Sequence, residues 1–283
     1  MPGARGAGQR VEPYCDDPAM RCAVVGHVEW VEFARVPELP GAGAIVQADE
    51  RWEEPGGAGA VIARQLARLA GRCELFTALG DDALGRRSER RLAELGVDVH
   101  VQRFGETRRG WVHVDGSGER TITVFGPKLR PSGPLPLRGY DAVFFVSGDV
   151  EALRSARSSR FLAATTRELS WLREGGVRLD LVVGSARDDG ERYDGSLDAG
   201  VVALTVGPAG SIVNGEPFPA APVPGPIADT YGAGDSFAAA LCFALARGDA
   251  LPDAVGLAAR AGAAVVTGRG PYPAQLDADG LRA

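Results

Sequence analysis

Lysine is almost absent from this 283-residue chain: of 31 basic residues, only Lys128 is a lysine. A P-loop for nucleotide phosphates requires the pattern GxxxxGK[ST], and the segment Gly126-Pro127-Lys128-Leu129 does not match it. A dinucleotide-binding GxGxxG is also missing, because only Gly26 follows the first strand candidate. The sequence therefore excludes a P-loop and disfavours a dinucleotide-dependent oxidoreductase.

Long apolar runs and an excess of positive charge are lacking as well. No segment approaches the ~20 apolar residues that a membrane span needs, and the net charge of −6 disfavours nucleic acid or an anionic membrane as a partner. The four cysteines are far apart and have no metal-ligand spacing, which predicts reduced thiols in a cytoplasmic protein; they are Cys15, Cys22, Cys73 and Cys242.

The distribution of strand and helix patterns predicts an α/β fold. Residues 1–20 contain three prolines and no apolar core, so we expect a loose tail followed by a single domain over 21–283. A short buried strand is predicted at 22–25. Strands and helices then alternate after residue 142, which predicts a mainly parallel sheet with helices on both faces; the strand candidates are 143–146, 179–183 and 201–206.

Two stretches, at about 27–54 and 101–125, do not follow this alternation. Within the second, two alternating runs flank the turn Gly116-Ser117-Gly118 and predict a hairpin. We expect these stretches to form a small separate sheet, a lid over a site at the carboxyl ends of the core strands. The exposed edge of such a lid could pair with a second copy of the chain, giving a homodimer.

The segment Asp229-Thr230-Tyr231-Gly232-Ala233-Gly234-Asp235 is the most informative part of the chain. It leads into an apolar helix whose free first-turn amides and dipole form an anion site. A carboxylate there would repel an anion, so Asp235 makes sense as a base on a nucleophile that attacks the bound group. The alternative is an acid that merely interacts with the helix dipole. The segment favours phosphoryl transfer to a hydroxyl.

This segment resembles the C-terminal signature of the ribokinase-like (PfkB-type) carbohydrate kinases. The N-terminal signature is matched by Pro55-Gly56-Gly57-Ala58-Gly59 and by Gly80-Asp81-Asp82-Ala83-Leu84-Gly85, and the resemblance spans about 22–270. It implies a three-layer α/β/α core with a β-sheet lid. It also implies that Asp235 is the base, that Gly232, Ala233 and Gly234 form the anion hole, and that Gly56 and Gly57 let substrate hydroxyls approach the backbone. The implied ATP contacts are Thr205, Gly207, Gly210, Thr230, Gly232 and Gly234.

The acceptor side departs from the family pattern. Many relatives have an acid that holds sugar hydroxyls where this chain has Val31, and a polar residue where it has Val61. Valines would leave sugar hydroxyls unpaired, at about 1–3 kcal/mol each. We therefore expect an acceptor other than ribose, with Glu29 as a substitute for the missing acid.

The magnesium motif Asn-x-x-Glu of the family is also changed. Ser185 and Asp188 keep its spacing, so they are candidates to hold Mg²⁺ through water, and a solvated loop is the alternative of equal weight. Activation by K⁺ is left open.

Together these features predict an ATP-dependent kinase for a small sugar or nucleoside-like alcohol. The alternative is a non-catalytic nucleotide- or sugar-binding sensor derived from the same family. The presence of Asp235 disfavours the sensor, because a non-catalytic binding protein does not need a catalytic base.

Overall fold

A computed structural model describes residues 20–281, so the predicted tail at 1–20 lies almost wholly outside the described residues. Two sheets hold all the strands of this part of the chain: nine strands in a large sheet and four in a small one. The strands are β1 Cys22–Val25, β2 Glu29–Arg35, β3 Glu50–Gly56, β4 Cys73–Leu79, β5 Asp98–Arg103, β6 Arg109–Val114, β7 Arg120–Phe125, β8 Ala142–Phe145, β9 Phe161–Thr165, β10 Leu179–Ser185, β11 Ala199–Thr205, β12 Ser211–Val213 and β13 Glu216–Phe218.

The large sheet has the order β13-β12-β11-β10-β9-β8-β1-β4-β5. Its strands from β11 to β5 are parallel, and β12 and β13 add an antiparallel edge. This arrangement confirms the predicted mainly parallel sheet. Strand β9, whose sequence Phe-Leu-Ala-Ala-Thr carries two alanines of weak strand propensity, has no counterpart among the predicted strands.

Helices cover both faces of the large sheet. The α-helices of the described residues are α1 Ala58–Ala70, α2 Ala83–Glu94, α3 Val150–Ala156, α4 Leu169–Gly175, α5 Ala233–Arg247 and α6 Leu251–Val265. Alternate residues of β1 enter opposite layers: Val24 packs in the core with α1, α5 and α6, and Val25 packs in the core with α3 and α4. The result is the expected three-layer α/β/α core.

The small sheet has the order β3-β2-β6-β7 and contains the predicted hairpin of β6 and β7. Its strands come from 29–35, 50–56, 109–114 and 120–125. Residues 98–103, which overlap the start of the predicted second lid stretch, instead form β5 at the edge of the large sheet. Strand β5 pairs in parallel with β4, so the second stretch that contributes to the small sheet begins only at Arg109.

Within residues 20–281 no helix is long and apolar enough to cross a membrane. Cys22, Cys73 and Cys242 are buried free thiols, and burial raises the pKa of each of them. Cys15 lies outside the described residues.

Candidate active site

The glycine loop before α5 forms the floor of a cavity of about 610 Å³ at the carboxyl ends of the parallel strands. Gly232 is the N-cap of α5, with φ at 87° and no side chain capping the helix. A left-handed backbone of this kind favours glycine, and a Cβ there would lie 3.1 Å from both Val61 Cγ1 and Pro271 Cβ. The first-turn amides of α5 therefore start at the cavity without a side-chain acceptor, as an anion site requires.

Asp235 lies in the first turn of α5, is half-buried and contributes to the cavity wall. Its burial, reinforced by the like charge of Glu191, raises the pKa of its carboxyl group to about 6, while Arg120 and Arg167 act in the opposite direction. A carboxylate with this pKa is ionised at neutral pH and is a stronger base than an exposed aspartate.

Asp229 stabilises the conformation of the glycine loop before α5. Its side chain is fully buried, and its two oxygens accept the backbone N–H groups of Tyr231, at 2.8 Å, and Gly270, at 3.1 Å. Two charge-assisted hydrogen bonds from the backbone fix the residues just before Gly232. Asp229 thus positions the loop and does not face the cavity.

The lid contacts the same loop through the β6–β7 turn. The Thr230 amide donates to the carbonyl of Gly118 at 2.9 Å, and its hydroxyl donates to Glu119 Oε1 at 2.9 Å. Arg120 Nη1 donates to the Thr230 carbonyl at 3.3 Å. The small sheet is thereby hydrogen-bonded to the loop that carries Asp235.

The turn after β11 forms another part of the wall. Gly207 and Gly210 have φ values of 62° and 101°, and the Gly210 amide donates to the Gly207 carbonyl at 3.0 Å. A Cβ at Gly210 would lie 2.1 Å from the carbonyl oxygen of Phe218, so only glycine fits there. All of the predicted nucleotide contacts lie on the wall of this one cavity: Thr205, Gly207, Gly210, Thr230, Gly232 and Gly234.

The predicted acceptor contacts lie elsewhere, apart from Asp235. Glu29, Val31, Gly56, Gly57 and Val61 are absent from the cavity wall. Val31 and Val61 are 1% and 0% exposed and pack in an apolar cluster with aromatic side chains. Glu29 is buried beside Arg108, with Oε2 at 3.3 Å from Nε, and burial raises the pKa of its carboxyl group. The valines therefore contribute to packing between the lid and the core.

Ser185 and Asp188 lie on the cavity wall, but their oxygens already have protein partners. Asp188 Oδ1 accepts the Gly190 amide at 2.8 Å and Oδ2 accepts Arg167, and Ser185 Oγ accepts the Arg187 amide at 3.2 Å. Within residues 20–281 no group of three or more His, Cys, Asp or Glu side chains is suited to a metal ion.

Several charged groups of the cavity have no counterpart in the sequence-based prediction. The cations are Arg120, Lys128, Arg167 and Arg187, and the added acids are Glu119 and Glu191. Glu191 could have been considered, because it stands three residues after Asp188 in the same acidic segment. No sequence motif distinguishes the arginines of the cavity from the many other arginines of the chain. Only the folded structure shows which of them lie on the cavity wall.

His27 also contributes to the wall, next to the end of β1. Its Nδ1 lies 3.2 Å from Ser147 Oγ, and burial, with Lys128 and Arg108 nearby, holds its pKa well below the usual range. The ring is therefore a neutral imidazole.

A helix start without a side-chain cap and a carboxylate beside it in a cleft of a three-layer α/β fold are features typical of phosphotransferases. The profile of the pfkB family carbohydrate kinases matches residues 19–194 and 179–278, and the chain belongs to this family. It is accordingly a phosphotransferase with an alcohol group as acceptor.

Its relatives include two curated enzymes. Aminoimidazole riboside kinase of Salmonella typhimurium is 27% identical over 278 residues, covering 79% of this chain and 86% of the relative. Fructokinase of Klebsiella pneumoniae is 36% identical over 124 residues, and this match covers 42% of this chain and only 38% of the fructokinase.

Among solved structures, a ribokinase from Cryptococcus neoformans var. grubii serotype A in complex with ADP superimposes with a TM-score of 0.74 at 22% identity, covering 93% of this chain and 99% of that one. At this level of identity the likeness establishes the ribokinase-like fold.

Proposed function

We propose that the chain transfers the γ-phosphoryl group of ATP to a hydroxyl of a small sugar or nucleoside-like alcohol, with Asp235 as the base. The position of Asp235 carries the proposal: its carboxylate faces the same cavity as the uncapped start of α5. ATP as the donor is supported by family membership and by the ADP-bound relative.

In this mechanism Asp235 accepts the proton of the acceptor hydroxyl as its oxygen attacks the phosphoryl group. The amides of Gly232, Ala233 and Gly234 and the dipole of α5 stabilise the charge on the transferred group. Arg120, Arg167 and Arg187 on the wall add positive charge for the phosphates. Positioning and electrostatics are the main sources of catalysis in phosphoryl transfer.

The experiment that tests the proposal is a screen for ADP release with a panel of sugars and nucleosides. Release that depends on the added alcohol excludes the pure sensor. Binding of ATP and sugars without any acceptor-dependent release would favour the sensor instead.

The pH profile provides a prediction that follows from the raised pKa of Asp235, about 6. Protonation removes the base, so kcat/KM should fall about tenfold per unit as the pH drops below about 6. The phosphates of ATP also take up a proton in this pH range. The variant Arg120→Gln distinguishes protonation of Asp235 from protonation of ATP. Because Arg120 lowers the pKa of Asp235, its loss should shift the acid limb to higher pH. If the pH at which kcat/KM falls were the same in this variant as in the wild type, the fall would be due to protonation of the nucleotide.

Mg²⁺ is implied by the family and would enter with the ATP phosphates, whose charge it neutralises when bound. Asp188 and Glu191 face the cavity and both contact Arg167, but the side-chain contacts of Glu191 fall on Oε1 alone. Glu191 Oε2 is therefore the better candidate to hold a metal-bound water.

We expect Glu191→Gln to raise the Mg²⁺ concentration for half-maximal rate roughly tenfold, a typical effect of an outer-shell ligand. Asp188→Asn should have a smaller effect, because both Asp188 oxygens already have protein partners. A Mg²⁺ titration of ADP release measures both. A larger effect at Asp188 would reverse the assignment.

The homodimer, the cytoplasmic location and the absence of nucleic-acid partners stay predictions. Strand β7 of the small sheet is exposed along its length, with Phe125 at 53%. Such an edge is suited to pairing with another chain. The mass of the protein in solution, with Val124→Lys as the variant that disrupts the edge, checks this expectation.

A further inference from the structure

Tyr231 packs against the predicted acceptor residues and lies off the cavity wall. It stands at the third position of the segment Asp229-Thr230-Tyr231-Gly232, and its side chain is turned away from the cavity toward the start of α1. The side chains packed there form what we call the acceptor-side cluster, which consists of Val31, Phe33, Trp52, Val61, Val112, Val114 and Tyr231. Side chains of the lid and of the core thus pack directly on each other in this cluster.

The hydroxyl of Tyr231 lies against the diglycine. It accepts the Gly57 backbone N–H at 2.9 Å, and a Cβ added at Gly56 would lie 2.6 Å from the same oxygen. Gly57 is the N-cap of α1, at the helix end whose amides are expected to meet substrate hydroxyls. One of these amides is therefore satisfied by a phenol oxygen of the same chain.

Neighbouring rings hold Tyr231 in this position. Phe33 meets it edge to face, with ring centroids 5.2 Å apart, and Phe33 itself stacks on Trp52 at 5.0 Å. Such aromatic pairs stabilise the packing beyond their buried area. Tyr231 is only 5% exposed, and burial raises the pKa of its hydroxyl, so the side chain is a neutral phenol.

We propose that Tyr231 determines acceptor specificity by occupying, in this chain, the space beside the diglycine that a polyhydroxylated sugar ring would need. This proposal rests on the proposed kinase function. Acceptors are then alcohols that present one hydroxyl to Asp235 without using the Gly56 and Gly57 backbone. Among small sugars, free pentoses and hexoses should then be the poorest acceptors, because the Tyr231 hydroxyl already takes the Gly57 amide and Val31 offers a sugar hydroxyl no partner.

The experiment compares Tyr231→Thr with the wild type and with Tyr231→Phe, using D-ribose and D-fructose as probes. Threonine removes the ring and opens the space, whereas phenylalanine keeps the ring and removes only the hydroxyl. We expect Tyr231→Thr to bind at least one of the two sugars about tenfold or more tightly by calorimetry, which corresponds to about 1.4 kcal/mol. Tyr231→Phe should resemble the wild type in this readout.

Equal affinities for both sugars in the wild type and Tyr231→Thr would overturn the proposal. If Tyr231→Thr does not fold, Tyr231→Leu replaces it, and a crystal structure of the wild type with D-ribose provides an independent readout. Ribose bound against the Gly57 amide of the wild type would also overturn it.

The binding readout keeps this proposal separate from the kinase function. Tighter sugar binding by Tyr231→Thr without ADP release would support the role of Tyr231 and contradict the kinase. Acceptor-dependent ADP release together with unchanged sugar affinity would support the kinase and contradict the role of Tyr231.

Discussion

Replacement of Asp235 by asparagine should lower kcat by at least about 10²-fold, because the amide keeps the shape of the side chain but cannot accept a proton. ATP should still bind, since the amides of Gly232–Gly234 and the turn at Gly207–Gly210 are unchanged. ADP release under saturating conditions measures the rate, and calorimetry with ATP measures the affinity. Turnover near the wild-type value would contradict the role of Asp235 as base.

The stability of this variant distinguishes loss of the base from loss of the fold. In the folded protein the pKa of Asp235 is raised to about 6 from an ordinary value of 3.8, so the folded state binds the proton more tightly than the unfolded chain. Its contribution to stability is therefore favourable at low pH and is lost as the pH rises through about 4 to 6. At pH 8 a neutral asparagine avoids this penalty, and the Tm of Asp235→Asn should be equal to or above that of the wild type.

Helix α6 offers a matched control for the helix-dipole alternative. Asp253 is an exposed acid in the first turn of α6 and lies off the cavity wall. Its replacement by asparagine should cost about 0.3–1 kcal/mol of stability through the dipole and leave turnover unchanged. If Asp235→Asn behaved like Asp253→Asn, Asp235 would be a helix-terminal acid and nothing more.

The nucleotide side of the site could be predicted from sequence because it depends on backbone conformation. Gly207, Gly210 and Gly232 adopt left-handed φ values, and glycine marks such positions in the sequence itself. The alternation of strands and helices likewise predicted the parallel sheet. The carboxyl ends of β10 and β11 and the start of α5 line one cavity at the edge of that sheet.

The acceptor side could not be predicted in the same way. The sequence predicts Val31 and Val61 at the acceptor pocket, but Tyr231 packs with both of them in one apolar cluster. Tyr231 stands 174 positions after Gly57 in the chain, and its ring packs on Phe33 of the lid, which itself stacks on Trp52. Contacts of this kind depend on tertiary packing, for which a single sequence carries no local pattern.

Replacement of Gly234 by alanine is the second change for which we expect a large effect. Gly234 is exposed in the first turn of α5, on the cavity wall, and a Cβ there would meet no protein atom within 4 Å. The fold should therefore tolerate the methyl group, and alanine favours the helix by up to about 1 kcal/mol over glycine. The same methyl group would stand where the phosphates approach the amides. We expect kcat/KM for ATP to fall at least about tenfold, or about 1.4 kcal/mol, with an unchanged or higher Tm.

Gly256 provides the control, because it lies in α6, off the cavity wall, and a Cβ there would meet only Arg260 Nη1 at 3.9 Å. Gly256→Ala should raise the Tm in a similar way without changing kcat/KM. A loss of activity in Gly234→Ala alone, at equal or greater stability, would mean that glycine at 234 provides access for phosphate and not a backbone conformation. Equal activity in the two variants would instead mean that the phosphates do not approach the first turn of α5, and the anion site would have to lie elsewhere in the cavity.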